Sequence, residues 1–226
     1  MVNFFCIILQ LMKKRIFVTA TNTNIGKTYT TLKLLEEYAS RGIRVGAIKL
    51  VETGVVDGVY PDGDLLLEKL QSLNPELQKF SVEDVVPIAY ELPAAPYIAS
   101  CGKALDFEIL NSAIEKMEAH CDLLILEGAG GLFVPVDGNF MMIDLIQFFN
   151  AVGLLVTHCS LGCINDTLLS LQALQNRNID AAMVFNCREE DGDFTQISEP
   201  FFLHNDIEVL KVQRDIDTLC DVLYNF

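Results

Sequence analysis

The fold of this chain is decided by the stretch Ile16-Phe17-Val18-Thr19-Ala20-Thr21-Asn22-Thr23-Asn24-Ile25-Gly26-Lys27-Thr28. The apolar run that ends at Thr19 predicts a buried strand, and the polar residues after it predict a turn. A helical spacing of apolar residues follows and ends at Arg41-Gly42. Strand, turn and helix in this order predict a phosphate-binding loop, because Gly26 lets the backbone approach a phosphate and the next N–H groups point toward it.

Two side chains at the end of this loop carry the predicted chemistry. Lys27 would reach the β and γ phosphates of a nucleotide, and Thr28 would be a ligand of Mg²⁺. The usual pattern G-x-x-x-x-G-K-[ST] begins with glycine, but Thr21 stands at that position. The alternative is a turn that only joins a strand to a helix. The strand pattern before it and the helical pattern after it favour the phosphate loop.

The composition predicts one domain with a sizeable core, because the 226 residues are 51% hydrophobic and 21% charged. We predict a single α/β domain over residues 12–226 and exclude a disordered or fibrous chain. The formal charge of -15 argues against nucleic acid or an anionic membrane as a partner. Residues 1–60 nevertheless carry eight Lys or Arg against four Asp or Glu, so an anionic ligand would be attracted to the predicted phosphate loop.

The seven cysteines predict reduced, buried thiols in a cytoplasmic protein, because their number is odd and no C-x-x-C pair occurs. His158, Cys159 and Cys163 lie close together in the sequence. No second pair of ligands at zinc spacing accompanies them, so we interpret them as packing residues.

Residues 1–11 are apolar, but they lack the basic n-region and the small-residue cleavage site of a signal sequence, and they are too short to span a bilayer. Met12-Lys13-Lys14-Arg15 directly precedes the first predicted strand and resembles a natural start. We therefore predict that residues 1–11 are an extension that folding and activity do not need.

Apolar strands alternate with amphipathic helices along the rest of the chain. After the first helix, strands are predicted at residues 43–49, 84–89, 121–126, 152–157, 181–185 and 207–212. Helices are predicted at residues 61–72, 105–120, 142–150, 164–175 and 215–224, and residues 187–199 are predicted to form a loop. This alternation predicts an α/β fold of the P-loop NTPase kind, with a mostly parallel sheet and helices on both of its faces.

Ligands of such sheets bind at the carboxyl ends of the strands. We therefore expect the segments that follow the predicted strands to gather at one edge: residues 19–27, 49–54, 127–131 and 158–165, and Asn186. Glu127 closes a buried strand, where a carboxylate needs a compensating cation. Mg²⁺ bound by Glu127, Asp64 and Thr28 would provide it. An ion pair of Glu127 with Lys27 or Lys49 is the alternative, and Asp64 would equally serve as a helix cap.

Three more features of this edge fit an anionic ligand. Lys49 ends the second predicted strand and would point at the same phosphates. The turn Gly128-Ala129-Gly130-Gly131 would bring main-chain N–H groups close to a ligand. Gly162-Cys163-Ile164-Asn165 begins a helix, whose amino end favours a carboxylate or a phosphate, although Asn165 as a plain cap is a competing interpretation.

These motifs resemble those of the dethiobiotin synthetase family. The resemblance covers residues 15–186 and rests on runs that occur in the family's order: Phe17-Val18-Thr19, Thr21 to Thr28, Lys49 with Thr53-Gly54, Asp64, Glu127-Gly128-Ala129-Gly130-Gly131-Leu132-Phe133-Val134-Pro135, and Leu161-Gly162-Cys163-Ile164-Asn165. The last two runs are much more specific than the phosphate loop.

The resemblance implies an ATP- and Mg²⁺-dependent ligase that closes a cyclic urea in biotin synthesis. Its substrates would be 7,8-diaminononanoate and CO₂, and the path to dethiobiotin would run through a carbamate and a carbamic-phosphoric anhydride. Lys27 and Lys49 would be catalytic. Nucleotide contacts are implied for Asn24, Ile25, Gly26, Lys27, Thr28, Tyr29, Glu127, Gly130 and Asn186. Substrate contacts are implied for Thr23, Thr53, Gly162, Cys163, Ile164 and Asn165, and metal ligands for Thr28, Asp64 and Glu127. The family is a homodimer with its substrate at the subunit interface.

The chain departs from the family pattern in four places. Ala20 replaces a glycine, Asn24 replaces an acidic residue, and Ser160 replaces a basic one. The tail after Asn186 lacks the glycine-to-proline loop that frames the adenine, so we expect loose selectivity for the base.

Two rival classes share parts of the pattern. A partition-type ATPase switch would carry a second lysine early in the loop, where this chain has Asn22. Another amide- or urea-forming ligase, such as the synthetase of cobalamin assembly, would need a glutaminase domain that does not fit in 226 residues.

Overall fold

A five-stranded parallel sheet forms the centre of the structure, a computed structural model that describes residues 14–226. The predicted extension at residues 1–11 lies outside the described residues. The strands of this sheet follow the order β2-β5-β1-β6-β7, and a separate pair of short parallel strands, β3 and β4, lies beside it. Their bounds are Lys14–Ala20 for β1, Val45–Lys49 for β2, Glu52–Thr53 for β3, Ala89–Tyr90 for β4, Leu123–Glu127 for β5, Val152–His158 for β6 and Ala181–Asn186 for β7.

The helices connect these strands and cover the sheet. Their bounds are Lys27–Ser40 for α1, Gly63–Leu73 for α2, Val82–Val85 for α3, Pro96–Ala99 for α4, Phe107–Glu118 for α5, Met142–Phe148 for α6, Cys163–Asn176 for α7, Phe194–Ile197 for α8, Glu199–His204 for α9 and Ile216–Tyr224 for α10. Short 3₁₀ turns occupy Pro75–Leu77 and Glu189–Asp191. Within residues 14–226, no helix combines the length and the apolar character that crossing a membrane requires.

The predicted α/β class is confirmed, and burial explains it. All five residues of β2 and of β5 are buried, so neither face of these strands meets solvent. Helix α1 packs on β1 and also contacts α2 and α10, which together form a helical layer. Helices α5 and α6 pack on the sheet as well. The apolar runs of the sequence are thus strands of a parallel sheet that is covered on both faces, as their lack of alternation indicates.

The order of the strands brings the predicted edge together. Strand β1 lies between β5 and β6. The connection from β1 to β2 leads to one side of β1, and the connection from β5 to β6 leads to the other side. This switch point is where parallel α/β sheets bind ligands. The register places Glu127 of β5 directly beside Lys49 of β2, and the phosphate loop follows β1 next to both.

Three predicted elements are wrong. Residues 84–89 do not form one strand, because α3 ends at Val85 and the strand is the short β4. Residues 207–212 form no strand, and only Lys211 makes an isolated bridge to Phe185. Residues 187–199 are not all loop, because a 3₁₀ turn and α8 lie within them, and α9 begins at their end. Apolar residues in these short segments pack against their neighbours without extending the main sheet.

The prediction that all the cysteines are reduced and buried is wrong for three of them. Cys159 and Cys187 form a disulfide, and Cys101 is exposed. Because His158 and Asn186 are register partners on β6 and β7, the next residue of each strand reaches the same point at the sheet edge. The two cysteines are 28 positions apart, so the sequence does not show this proximity. Among residues 14–226 the buried thiols are Cys121, Cys163 and Cys220, and the prediction for Cys6 lies outside the described residues.

Candidate active site

The phosphate loop joins β1 to α1 in a turn whose backbone requires a glycine. Gly26 has a φ of 102° and immediately precedes the helix. Its carbonyl accepts bonds from the backbone N–H and the hydroxyl of Thr30, both at 2.9 Å. Asn24 has a φ of 59°, which asparagine tolerates better than most residues. Ala20, the first of the predicted departures, is the last residue of β1 and is not among the residues with positive φ.

Replacing Gly26 with alanine should disrupt this loop. The added Cβ would lie 2.1 Å from Asn186 Nδ2, and alanine would also have to adopt positive φ. Backbone strain of this kind costs about 1–3 kcal/mol, so we expect nucleotide affinity to fall by at least about tenfold in calorimetric titrations.

Gly42→Ala is the matched control for this prediction. Gly42 has a φ of +81°, but nothing lies within 4 Å of its added Cβ, so this variant carries backbone strain without the clash. It should bind nucleotide as the wild type does. Wild-type affinity in Gly26→Ala would contradict the role assigned to this turn.

A cluster of oppositely charged side chains lies at the floor of the loop. Lys49 Nζ lies 2.5 Å from Asp62 Oδ2 and 2.8 Å from Glu127 Oε1. Thr28 Oγ1 lies 2.8 Å from Asp62 Oδ1 and 2.8 Å from Glu127 Oε1. Four side chains from α1, β2, β5 and the loop before α2 therefore meet at one point.

Burial gives this cluster its electrostatic character. Glu127 is 0% exposed and Lys49 is 4% exposed. Burial opposes the charge of Lys49, but the carboxylates of Glu127 and Asp62 outweigh it and hold the pKa of Lys49 above its ordinary value. Burial likewise opposes the charge of Asp62, and the nearby Lys49 ammonium nevertheless holds the pKa of Asp62 below its usual range. The ion pair of Glu127 with Lys49, one of the two alternatives for Glu127, is thus present.

Asp62, rather than the predicted Asp64, is the aspartate that contacts Thr28 and Lys49 in this cluster. Helix α2 begins at Gly63, so Asp62 is its N-cap residue and its carboxylate turns back toward Thr28. Asp64 lies in the first turn, is exposed, and accepts a bond of 2.9 Å from the backbone N–H of Tyr60. Asp64 thus has the contact expected at a helix terminus, and its role as a metal ligand stays a prediction.

Lys27 is 8% exposed and faces the cavity above the cluster. It makes no ion pair with the described residues 14–226. Burial and the neighbouring Lys49 ammonium lower the pKa of Lys27 to about 8, against the opposing charges of Glu127 and Asp62. An anionic ligand would supply the negative charge that this ammonium lacks.

The glycine turn after β5 lies against the phosphate loop. A Cβ on Gly131 would lie 3.1 Å from the Thr21 carbonyl oxygen, so a larger residue would press the two loops apart. The two loops enclose a cavity of about 590 Å³. It is lined by Thr23, Asn24, Gly26, Lys27, Thr28, Lys49, Val51, Glu52, Thr53, Pro61, Asp62, Ala129, Gly130 and Arg188.

The end of β7 supports the outer side of the phosphate loop. Asn186 Nδ2 donates to the Ile25 carbonyl at 2.8 Å, and Asn186 Oδ1 accepts from Gln213 Nε2 at 2.8 Å. Arg188 donates to the Asn24 carbonyl. Sequence reasoning missed Arg188, Gln213 and Glu52. The position of Arg188 just after a strand end was the signal that could have identified it.

The segment Gly162 to Asn165 does not line the 590 Å³ cavity. Gly162, with a φ of 101°, caps α7, and Cys163 is buried. Asn165 is therefore not the cap, and its amide donates to Asp166 Oδ1 at 3.1 Å. Tyr29 also lies outside this cavity and lines a separate groove on α1 with Gln213.

The donor set fits a small, hard cation. The Thr28 hydroxyl and the carboxylates of Asp62 and Glu127 are oxygen ligands of the type that Mg²⁺ prefers, and phosphates and water commonly complete its shell. Within residues 14–226, no group of three or more His, Cys, Asp or Glu side chains is arranged to hold a metal. Mg²⁺ at this site would therefore use the hydroxyl together with the two carboxylates, and water or phosphate oxygens would complete its shell.

The fold and this edge define a P-loop nucleotide-binding protein. A ParA family ATPase from Chlorobium tepidum has a similar structure, with a TM-score of 0.50, 12% identity and coverage of 95% of this chain and 93% of that one. This likeness shows the fold alone. A family profile described as "AAA domain" matches residues 14–219.

Sequence relatives narrow the class to one family. The chain is 44% identical over 187 residues to the ATP-dependent dethiobiotin synthetase BioD of Sulfurovum sp., covering 83% of this chain and 89% of that protein. It is 35% identical over 213 residues to the enzyme of the same name from Wolinella succinogenes, covering 93% and 98%. The chain belongs to the dethiobiotin synthetase family.

Proposed function

We propose that this protein converts 7,8-diaminononanoate and CO₂ to dethiobiotin at the expense of ATP, in the presence of Mg²⁺. The observation that carries the proposal is the cluster of Thr28, Lys49, Asp62 and Glu127 below Lys27, at the floor of a cavity large enough for a triphosphate and a small acceptor. The identity of the substrate is inferred from the family to which the chain belongs.

The reaction needs negative charge to be stabilised at two neighbouring places. One amine of the substrate adds to CO₂ and loses a proton, which gives a carbamate. A carbamate oxygen then attacks the γ phosphorus, ADP leaves, and a carbamic-phosphoric anhydride forms. The second amine attacks the carbonyl carbon and loses a proton, phosphate leaves, and the urea ring closes. Every step keeps an anion beside the ammonium groups of Lys27 and Lys49, which stabilise it.

The other cavity residues would orient the reactants. Thr28, Asp62 and Glu127 would hold Mg²⁺, which shields the charge of the β and γ phosphates when bound. Thr23 and Thr53 line the cavity with hydroxyls that would hydrogen-bond the reacting end of the substrate. Asn24, Ile25, Gly26 and Gly130 would present backbone groups to the nucleotide. Asn186 and Tyr29 would lie toward the base, and loose base selectivity stays a prediction.

A homodimer with substrate at the subunit interface is part of the proposal. Leu161, two residues before α7, is 91% exposed, and Leu169, the seventh residue of α7, is 59% exposed. Exposed apolar side chains of this size in one region are typical of a surface that another molecule covers. A second copy would bring its Gly162 to Asn165 segment to the substrate carboxylate. We place the enzyme in the cytoplasm, where its nucleotide is available.

An omission assay tests the proposed function. Purified protein is mixed with ATP, Mg²⁺, bicarbonate and the diamine, each is left out in turn, and ADP release is followed together with mass-spectrometric detection of dethiobiotin. We expect ADP release to depend on all four components. ADP release at the same rate with and without the diamine would contradict the synthetase proposal and favour an ATPase switch.

A further inference from the structure

Thr31, on the inner face of α1, makes a hydrogen bond to which the proposed reaction assigns no role. Thr31 is 0% exposed and lies one helical turn after Thr28. Its hydroxyl donates to Glu127 Oε2 at 2.7 Å. We infer that Thr31 is a positioning residue that fixes the Glu127 carboxylate so that its other oxygen stays directed at the Mg²⁺ site. This inference rests on the proposed use of Mg²⁺ at that site.

The two oxygens of Glu127 have separate sets of partners. Oε1 lies 2.8 Å from both the Thr28 hydroxyl and the Lys49 ammonium. Oε2 is bonded to Thr31. A cation held by Thr28 and Glu127 would need the lone pairs that now face these groups, so the contacts at Oε1 must rearrange. The bond at Oε2 is on the other oxygen of the carboxylate, so it can remain whether or not a cation is bound at Oε1.

The Thr31 hydroxyl does not make the hydrogen bond that is usual for a buried threonine in a helix. A buried threonine in a helix commonly bonds the carbonyl of the preceding turn. Thr30 does so, because its hydroxyl donates to the Gly26 carbonyl at 2.9 Å. The Thr31 hydroxyl instead leaves the helix and reaches a side chain on β5, 96 residues away in the sequence.

Burial makes this bond necessary for the orientation of the carboxylate. Glu127 is 0% exposed, so water cannot replace a missing donor at Oε2. Without the Thr31 hydroxyl, the carboxylate would rotate to share the remaining donors at Thr28 and Lys49. The oxygen meant for the cation would then be displaced, and binding of the metal-bound nucleotide would weaken more than binding of the nucleotide alone.

Calorimetric titration of the full chain with ADP, in excess Mg²⁺ and separately in EDTA, tests the inference. In Mg²⁺ we expect Thr31→Val to weaken binding by about tenfold, in line with the loss of one hydrogen bond to a charged group. Affinity in EDTA should stay within about twofold of the wild type, since a positioning role concerns only the metal. Thr31→Ser should restore most of the affinity in Mg²⁺.

Thr167→Val is the matched control. Thr167 is also 0% exposed in a helix, but its hydroxyl is paired with that of Thr157 on β6, at 2.7 Å, and not with a carboxylate of the cluster. It should leave both affinities unchanged. If Thr31→Val does not fold, Thr31→Ala compared with Thr31→Ser isolates the hydroxyl equally well.

Two results would overturn the inference. One is an unchanged affinity in Mg²⁺ for both Thr31→Val and Thr31→Ala, and the other is an equal loss in Mg²⁺ and in EDTA, which would indicate a structural role. If the wild type bound ADP equally well in Mg²⁺ and in EDTA, that result would overturn both the proposed function and this inference. The wild-type titration therefore separates the two failures.

Discussion

Replacing Lys49 with methionine should abolish turnover and create a Mg²⁺ site in the nucleotide-free protein. The ammonium of Lys49 lies between two carboxylates at 2.5 Å and 2.8 Å, where it acts as their counter-ion. Methionine has a similar length and no charge, so the buried Glu127 and the partly exposed Asp62 would be left facing each other without a cation. Loss of a group that stabilises transition-state charge should lower kcat by at least about 10²-fold.

The same variant should be less stable until a divalent cation is added. Removing one partner of a buried ion pair typically destabilises a protein by about 3–5 kcal/mol. Mg²⁺ would neutralise the two carboxylates, so its addition should raise the melting temperature of Lys49→Met in the absence of nucleotide. The wild type should respond much less, because its own ammonium already occupies the position between the carboxylates. Differential scanning calorimetry with and without Mg²⁺ measures both effects.

Lys69→Met is the control for charge removal. Lys69 pairs with Glu36 at 2.6 Å, but its side chain is 29% exposed, so the loss should cost at most about 1 kcal/mol and confer no response to Mg²⁺. If Lys49→Met had the melting temperature of the wild type, and Mg²⁺ did not raise it, Lys49 would not be the counter-ion of this pair.

The sequence predicted the sheet and the edge that carries the site because both depend on long, regular patterns. The apolar runs of β1, β2 and β5 have no alternation, which is typical of strands in a parallel sheet that helices cover on both faces. Strand ends at Lys49 and Glu127 then meet by topology alone, without any knowledge of side chains. The short elements after Asn186 were missed because a few apolar residues fit a strand and a helical turn equally well.

The details that the sequence could not supply depend on register and on side-chain direction. The disulfide of Cys159 with Cys187 follows from the pairing of β6 and β7, which no local pattern reveals. The contact of Thr31 with Glu127 requires the rotation of α1 about its axis to be known. The choice between Asp62 and Asp64 depends on which residue begins α2, and helix boundaries are uncertain by one or two residues in any sequence-based assignment.

Exchanging each of these two aspartates for asparagine should separate their roles. Asp62→Asn removes the charge beside Thr28 and Lys49, so we expect ADP release to fall by about 10²-fold and to need more Mg²⁺ for half-maximal rate. Asp64→Asn keeps an oxygen that can accept the bond from Tyr60, and its side chain is exposed, so its rate should stay within about threefold of the wild type.

The pair is a stringent test because the two residues are separated only by Gly63 and undergo the same chemical change. Any general effect of lost negative charge near the anionic nucleotide would act on both variants in the same direction. Only a specific contact of Asp62 with the cation site predicts a large difference between them, together with a shifted Mg²⁺ dependence in one. Equal rates in the two variants, or the greater loss in Asp64→Asn, would contradict the placement of Asp62 at the metal and return that role to Asp64.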